Sequence, residues 1–291
     1  MVDRLTLDDV VAIDFHVHVE VNADGHDHLS PELREAANVY FHGEPLLPDG
    51  QAVADYYRQR KMMAVVFPVD DELTTGQPRL RNEDVLDAAV ANPDVLIPFA
   101  SIDPRRGGEG VAEARDLVEG GMVKGFKFHP NLQQFHPNDP SVYPLYEVLA
   151  EAGSIALFHT GHSGIGTGLP GGGGIRLKYS NPMDVDDVAV DFPDLRIVLA
   201  HPSFPWQDEA LSVAMHKNQV FIDLSGWSPK YFPPQLVRYA GSMLRNQILF
   251  GTDYPLIDPE RWLADFDGLE LPYEVRPLIL RENAIRLLDL R

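Results

Sequence analysis

His16 and His18, one residue apart at the end of the apolar run 10–15, are the first chemistry the chain offers. In an extended strand alternate residues point the same way, so both imidazoles project to one side. Neutral imidazoles fixed on a strand supply two corners of a metal site without the cost of ordering a loop. Three more ligand-type residues end later apolar runs: His159 closes 155–159, His201 closes 197–201 and Asp253 closes 248–253. A His or Asp at the end of an apolar run, four times over, is not what packing alone produces.

Those residues need a scaffold that brings distant strand ends together. Apolar runs with β-type residues occur at 10–15, 64–68, 95–100, 123–128, 155–159, 197–201, 220–224 and 248–253. Between them lie stretches with helical patterning at 52–61, 82–92, 108–120, 142–152, 181–191, 209–216 and 234–241, and a last one at 272–288. Regular alternation of this kind implies a parallel sheet, and eight units fit a closed (β/α)8 TIM barrel better than an open sheet. The ligand-type residues lie at the C-terminal ends of runs one, five, six and eight, the face where barrel active sites form. A long polar insertion, from Glu20 to about Gly50, and a glycine-rich loop from Gly161 to Gly174 are expected to shape the pocket. No repeat, linker or second boundary interrupts residues 1–291, which read as one barrel domain.

Lys and Arg number 24 against 44 Asp and Glu, a net charge of −20 that argues against nucleic acid or an anionic membrane as partner. There is no cysteine, so any metal must be held by nitrogen and oxygen. Residues 1–6 lack a basic segment followed by an apolar stretch, and no apolar stretch approaches the ~20 residues that span a bilayer. A soluble, cytoplasmic protein acting on a small molecule is the expectation.

With these pieces assembled, the chain resembles the amidohydrolase-related family of metal-dependent hydrolases and decarboxylases. The resemblance rests on Asp14-Phe15-His16-Val17-His18, Gly125-Phe126-Lys127-Phe128-His129-Pro130, Phe158-His159-Thr160-Gly161, Leu199-Ala200-His201-Pro202 and Phe250-Gly251-Thr252-Asp253-Tyr254-Pro255, in the family's order and nearly end to end. It implies that His16, His18 and His159 bind a divalent metal, usually Zn2+, and that Asp253 binds it or hydrogen-bonds its water. It implies for His201 the role of a base or of a group that polarises substrate. Three imidazoles and a carboxylate leave a position open for water, as a catalytic site requires. Mn2+, Co2+ and Fe2+ accept the same ligands. Relatives are often dimers, so a homodimer is expected.

Lys127 falls where binuclear relatives carry a carboxylated lysine, but in its Gly-Phe-Lys-x-His-Pro setting we read it as a pocket residue beside one metal per chain. His129 is expected to face the pocket, His162 to touch substrate from the loop, and Trp227 with Tyr231 to form an aromatic wall. His26, His28, His42, His136 and His216 read as surface residues, although His26-Asp27-His28 could belong to a lid. The leading expectation is a hydrolase in which metal-bound hydroxide attacks an activated carbonyl: an ester, lactone, amide or β-keto acyl C–C bond. Asp253 passes the proton to the leaving group. The alternative is non-oxidative decarboxylation of an aromatic or unsaturated acid, with Asp253 or His201 protonating carbon. A metal-binding barrel without catalysis is disfavoured, because no ligand position carries an inert residue.

Overall fold

The eight apolar runs become eight strands: β1 (Ala12–His18), β2 (Met62–Phe67), β3 (Leu96–Ser101), β4 (Gly125–Phe128), β5 (Ile155–His159), β6 (Arg196–Ala200), β7 (Val220–Asp223) and β8 (Ile248–Leu249). They lie side by side in chain order, each parallel to the next. The ring closes where the Phe15 N–H donates to the Phe250 carbonyl and the His18 N–H to the Tyr254 carbonyl, both at 2.8 Å. The result is a (β/α)8 TIM barrel. This computed structural model describes residues 4–22, 24–42 and 46–290. Residues 1–3, and residues 23 and 43–45 of the insertion, lie outside them.

Helices follow the strands and start where local chemistry satisfies their free N–H groups. The Asp49 carboxylate accepts from the Ala52 N–H ahead of Gly50–Gln59, and Asn181 caps Pro182–Asp191 with proline at the first helical position. Besides the single turns Glu72–Thr75 and Pro130–Gln133, two longer helices have no counterpart in the sequence pattern. Pro31–Phe41 forms inside the insertion, capped by Ser30, and Pro259–Asp267 follows β8, capped by Asp258. The C-terminal stretch is helical from Tyr273 to Leu288, with a wide turn at Leu278–Glu282 between Tyr273–Val275 and Asn283–Leu288. Among the described residues no helix is long and apolar enough to cross a membrane.

Two apolar layers result. Inside the ring, Phe15, Phe67, Phe99, Leu157, Val198 and Phe221 interdigitate, closed at one end by Ile285 and Leu288. Between ring and helices, Val17, Val66, Phe128, Phe158, Leu199 and Ile222 pack against such residues as Tyr57 and Tyr146. Gly125 is required by this packing: a Cβ there would lie 2.5 Å from the Phe99 ring.

On β1 the alternation is broken once. Ile13 and Phe15 belong to the inner layer, but Val17 and Val19 belong to the outer one. The register slips at the same point, since Asp14 pairs with Ala64 and Val17 with Val66. This bulge turns His16 inward next to Phe15 and carries His18 with it. In a regular strand the two histidines would face opposite to Phe15, toward the helices.

Asp14 ties the seam beside the bulge. Its carboxylate accepts from the His16 N–H (3.1 Å), the Thr252 N–H (3.0 Å), the Thr252 hydroxyl (2.5 Å) and the Tyr57 hydroxyl (2.7 Å). Burial pushes the Asp14 carboxyl up to about 7 against the pull of these donors. Removing one donor to a buried carboxylate costs about 1–3 kcal/mol. Tyr57→Phe should therefore lower stability by that amount in urea unfolding with the m-value unchanged. A loss under ~0.5 kcal/mol, the size of an ordinary surface substitution, would show that the hydroxyl does not hold the seam.

Candidate metal centre

Regular alternation places three of the floor residues. Lys127 on β4, His159 at the end of β5 and Asp223 at the end of β7 all occupy inward positions, one layer above the apolar interior, and all are buried. His16 and His18 arrive by the bulge. His201 and Asp253 lie beyond their strands, one residue past β6 and four past β8, rather than on them. Each is left-handed, with φ of 74° and 70°, conformations rare outside glycine and concentrated at functional sites. The Asp253 N–H donates to the His16 carbonyl at 2.9 Å, which locks the Asp253 turn onto the bulged strand.

These side chains meet at one point. Asp253 Oδ1 lies 3.1 Å from His18 Nε2 and 3.3 Å from His16 Nε2. His16 Nδ1 is 3.0 Å from Asp223 Oδ2, and Lys127 Nζ is 2.9 Å from His16 Nε2. His159 Nδ1 is 2.9 Å from His201 Nε2, and the His129 ring stacks on His159 at 4.0 Å. Burial disfavours the Asp253 anion, but the hydrogen bond from His18 and the electrostatic pull of the neighbouring imidazole rings outweigh it, holding the carboxyl well below the usual range. Burial, followed by the nearby Lys127 ammonium, pushes His16 and His129 down. For His159, burial is followed by the neighbouring His129. Burial draws Lys127 down to about 8, opposed by Asp253 and Asp223.

The donor set fits a divalent cation. His16, His18 and Asp253 each place a ligand atom within 4.8 Å of the others, and so do His16, His201 and Asp223. His159 belongs to neither group, but its Nε2 is buried and finds no hydrogen-bond partner among the described residues. A buried polar atom left without a partner costs about 1–3 kcal/mol. Neutral imidazoles and ionised carboxylate are the protonation states that ligands need.

Above the floor lies a cavity, open at its mouth. Lys127, His129, His159, His201 and Asp253 form its base, and Phe41, Ser163, Gly164 and Ile165 its roof. His28 is not a surface residue: the insertion folds back over the barrel and buries it in the cavity wall, with Nδ1 3.2 Å from Asp71 Oδ1. Burial opposes its charge, but the Asp71 hydrogen bond and carboxylate outweigh this and raise it. Arg34 lines the same wall, paired with Glu20 at 2.5 Å and Asp27 at 2.7 Å. His26 and His136 are half-buried, and His42 and His216 exposed. At the mouth Tyr40, His162 and Trp227 line a second opening to the floor, and Tyr231 lies farther out.

Sequence reasoning missed Asp223, because run seven continues through it to Leu224 instead of ending there, although Gly226 follows close behind. It also missed Glu20 and Arg34, whose place depends on how the insertion folds.

A family profile described as Amidohydrolase matches residues 13–290. An uncharacterised TIM-barrel protein from Bordetella bronchiseptica superposes with a TM-score of 0.75 at 23% identity, covering 96% of this chain and 98% of that one. A probable 2-pyrone-4,6-dicarboxylic acid hydrolase from Acinetobacter baumannii, with citric acid bound, gives 0.63 at 17%, covering 96% and 100%. A 5-carboxyvanillate decarboxylase from Novosphingobium aromaticivorans, with manganese bound, gives 0.63 at 13%, covering 98% and 99%. No curated protein matches by sequence.

Elemental analysis should find about one divalent transition metal per chain, lost in His16→Ala. Asp223 sits behind His16 rather than at the open floor, and removing such a partner typically weakens metal binding 10–100-fold. Asp223→Asn should do so in a chelator competition. Unchanged affinity would mean that the His16–Asp223 contact does not orient the ligand.

Proposed function

From the premise that this chain belongs to the amidohydrolase family, we propose that it is a metal-dependent hydrolase of a small molecule with an activated carbonyl: an ester, lactone, amide or β-keto acyl compound. The observation that carries this reading is the Asp253 carboxylate, held at 3.1 Å and 3.3 Å from two imidazoles at the base of the cavity. A base fixed beside the ligand atoms is what activation of water needs, because it must reach both the water and the leaving group. We assign His16, His18, His159 and Asp253 as the residues that would hold the ion, with Zn2+ as the first choice. Bound there, a divalent ion polarises a carbonyl and lowers the pKa of water toward about 7.

The chain's own groups complete the reaction. Asp253 takes the proton of water as its oxygen bonds to the carbonyl carbon, then returns that proton to the departing oxygen, nitrogen or carbon. Lys127 Nζ, at the base of the cavity, orients an anionic or carbonyl oxygen of the substrate. Trp227, Tyr40 and His162 offer ring faces to an apolar or aromatic portion.

A second reading is decarboxylation of an aromatic or unsaturated acid. It draws on the same buried Lys127, which could hold a carboxylate at the floor. Reaction in 18O-water separates the two. Hydrolysis places one solvent oxygen in the acid product, whereas CO2 release with no label incorporated would overturn it. General acid–base groups contribute about 10²–10⁴-fold. Asp253→Asn should therefore lower kcat by that factor with KM within a few-fold; near-normal turnover would remove Asp253 from the proton path. Trp227→Ala should raise KM for aryl substrates about tenfold with little change in kcat, as loss of a stacking face predicts. An equal fall in kcat and kcat/KM would contradict a binding role.

A further inference from the structure

Behind the floor, one carboxylate reaches both sides of the site. Asp223 Oδ2 contacts His16, whereas Oδ1 accepts the Ser225 N–H at 3.0 Å and the Ser225 hydroxyl in a very short bond. The His201 N–H also points at Oδ1, at 3.4 Å. Ser225 Oγ in turn lies 2.9 Å from His201 Nδ1, and His201 Nε2 lies 2.9 Å from His159 Nδ1. The line Asp223–Ser225–His201–His159 is unbroken and every member is buried.

Donor counting fixes the protons along this line. A carboxylate can only accept, so the single hydroxyl proton of Ser225 goes to Asp223. Toward His201 the Ser225 oxygen must then accept, and Nδ1 of His201 carries the hydrogen. Neutral His201 is left with a bare Nε2, which can only accept from His159 Nδ1–H. His159 Nε2 is therefore bare as well, and it is the buried atom that has no partner among the described residues. The reverse polarity would set the Ser225 and Asp223 lone pairs against each other in that very short contact.

We infer that Ser225, backed by Asp223, is a positioning residue that sets the tautomers of His201 and, through it, His159, so that His159 presents an unprotonated Nε2 to the floor. His201 then serves as the link in this line rather than as the proton acceptor. Its Nε2 is already engaged by His159, which leaves that task to Asp253. Packing holds the ring in place: a Cβ on Gly226 would sit 2.7 Å from His201 Nδ1. The inference deepens the proposed function and rests on it only for the ion that His159 would hold.

The test is the 15N shift pattern of the histidines in the metal-free full chain at pH 8, read by long-range 1H–15N correlation and assigned with His159→Gln and His201→Gln. Wild type should show His159 and His201 as Nδ1–H tautomers. Ser225→Ala should move both toward Nε2–H and weaken Zn2+ binding about tenfold or more, and Ser225→Thr, which keeps the hydroxyl, should restore both. An Nε2–H tautomer at His159 in wild type overturns the inference, as does Ser225→Ala with unchanged tautomers and Zn2+ affinity. Should Ser225→Ala fail to fold, the wild-type spectrum alone decides. Failure of hydrolysis with the expected tautomers would sink the proposed function and leave this inference standing.

Discussion

A strand shows only every second side chain to the axis of a closed barrel, and the site depends on where this chain keeps that rule and where it breaks it. Kept, the rule stacks Leu157 under His159, Phe221 under Asp223 and Gly125 under Lys127, an apolar layer beneath a polar one. Broken once on β1, it allows Phe15 to fill the interior while His16 and His18 also turn inward. Without the bulge the chain would have to choose between its core and its ligands.

The exceptions are costly, and the structure shows what offsets them. A left-handed non-glycine residue costs about 1–3 kcal/mol, and His201 and Asp253 are both of this kind. Asp253 donates its N–H to the bulged strand, and the Asp14 carboxylate gathers donors from β1, the Thr252 turn and Tyr57. The bulge, the turn and the seam between first and last strands thus share one set of hydrogen bonds. Several of the hydrogen bonds at the barrel's seam, such as Asp253 N–H to the His16 carbonyl, also position residues of the site.

How much of this was legible in the sequence follows from the same physics. Apolar runs are local, and they disclosed eight strands; the four that end in His or Asp disclosed the face that carries the site and most of the residues that meet there. The bulge is not local. Nothing between Asp14 and Val17 shows that three steps on β1 match two on β2; the slip comes from the need to fill the interior with Phe15. The insertion helix Pro31–Phe41 was hidden because its stretch is largely polar and fully buries only Ala37. His28 was misread because burial beside Asp71 joins residues 43 positions apart in the chain.

The cavity joins two kinds of structure. Its floor comes from strand ends, whose positions the barrel fixes, and its roof from the insertion helix and the glycine-rich loop. These two meet so closely that a Cβ on Gly164 would lie 2.5 Å from the Phe41 ring. Charge is divided along the same line. Arg34 on the roof side is held by Glu20 and Asp27, so its charge is spent within the wall. Lys127 on the floor has no carboxylate within ion-pair distance among the described residues; its near partner is an imidazole. Of the two basic residues that line the cavity, Arg34 and Lys127, only the one at the base is thus without a carboxylate in direct contact.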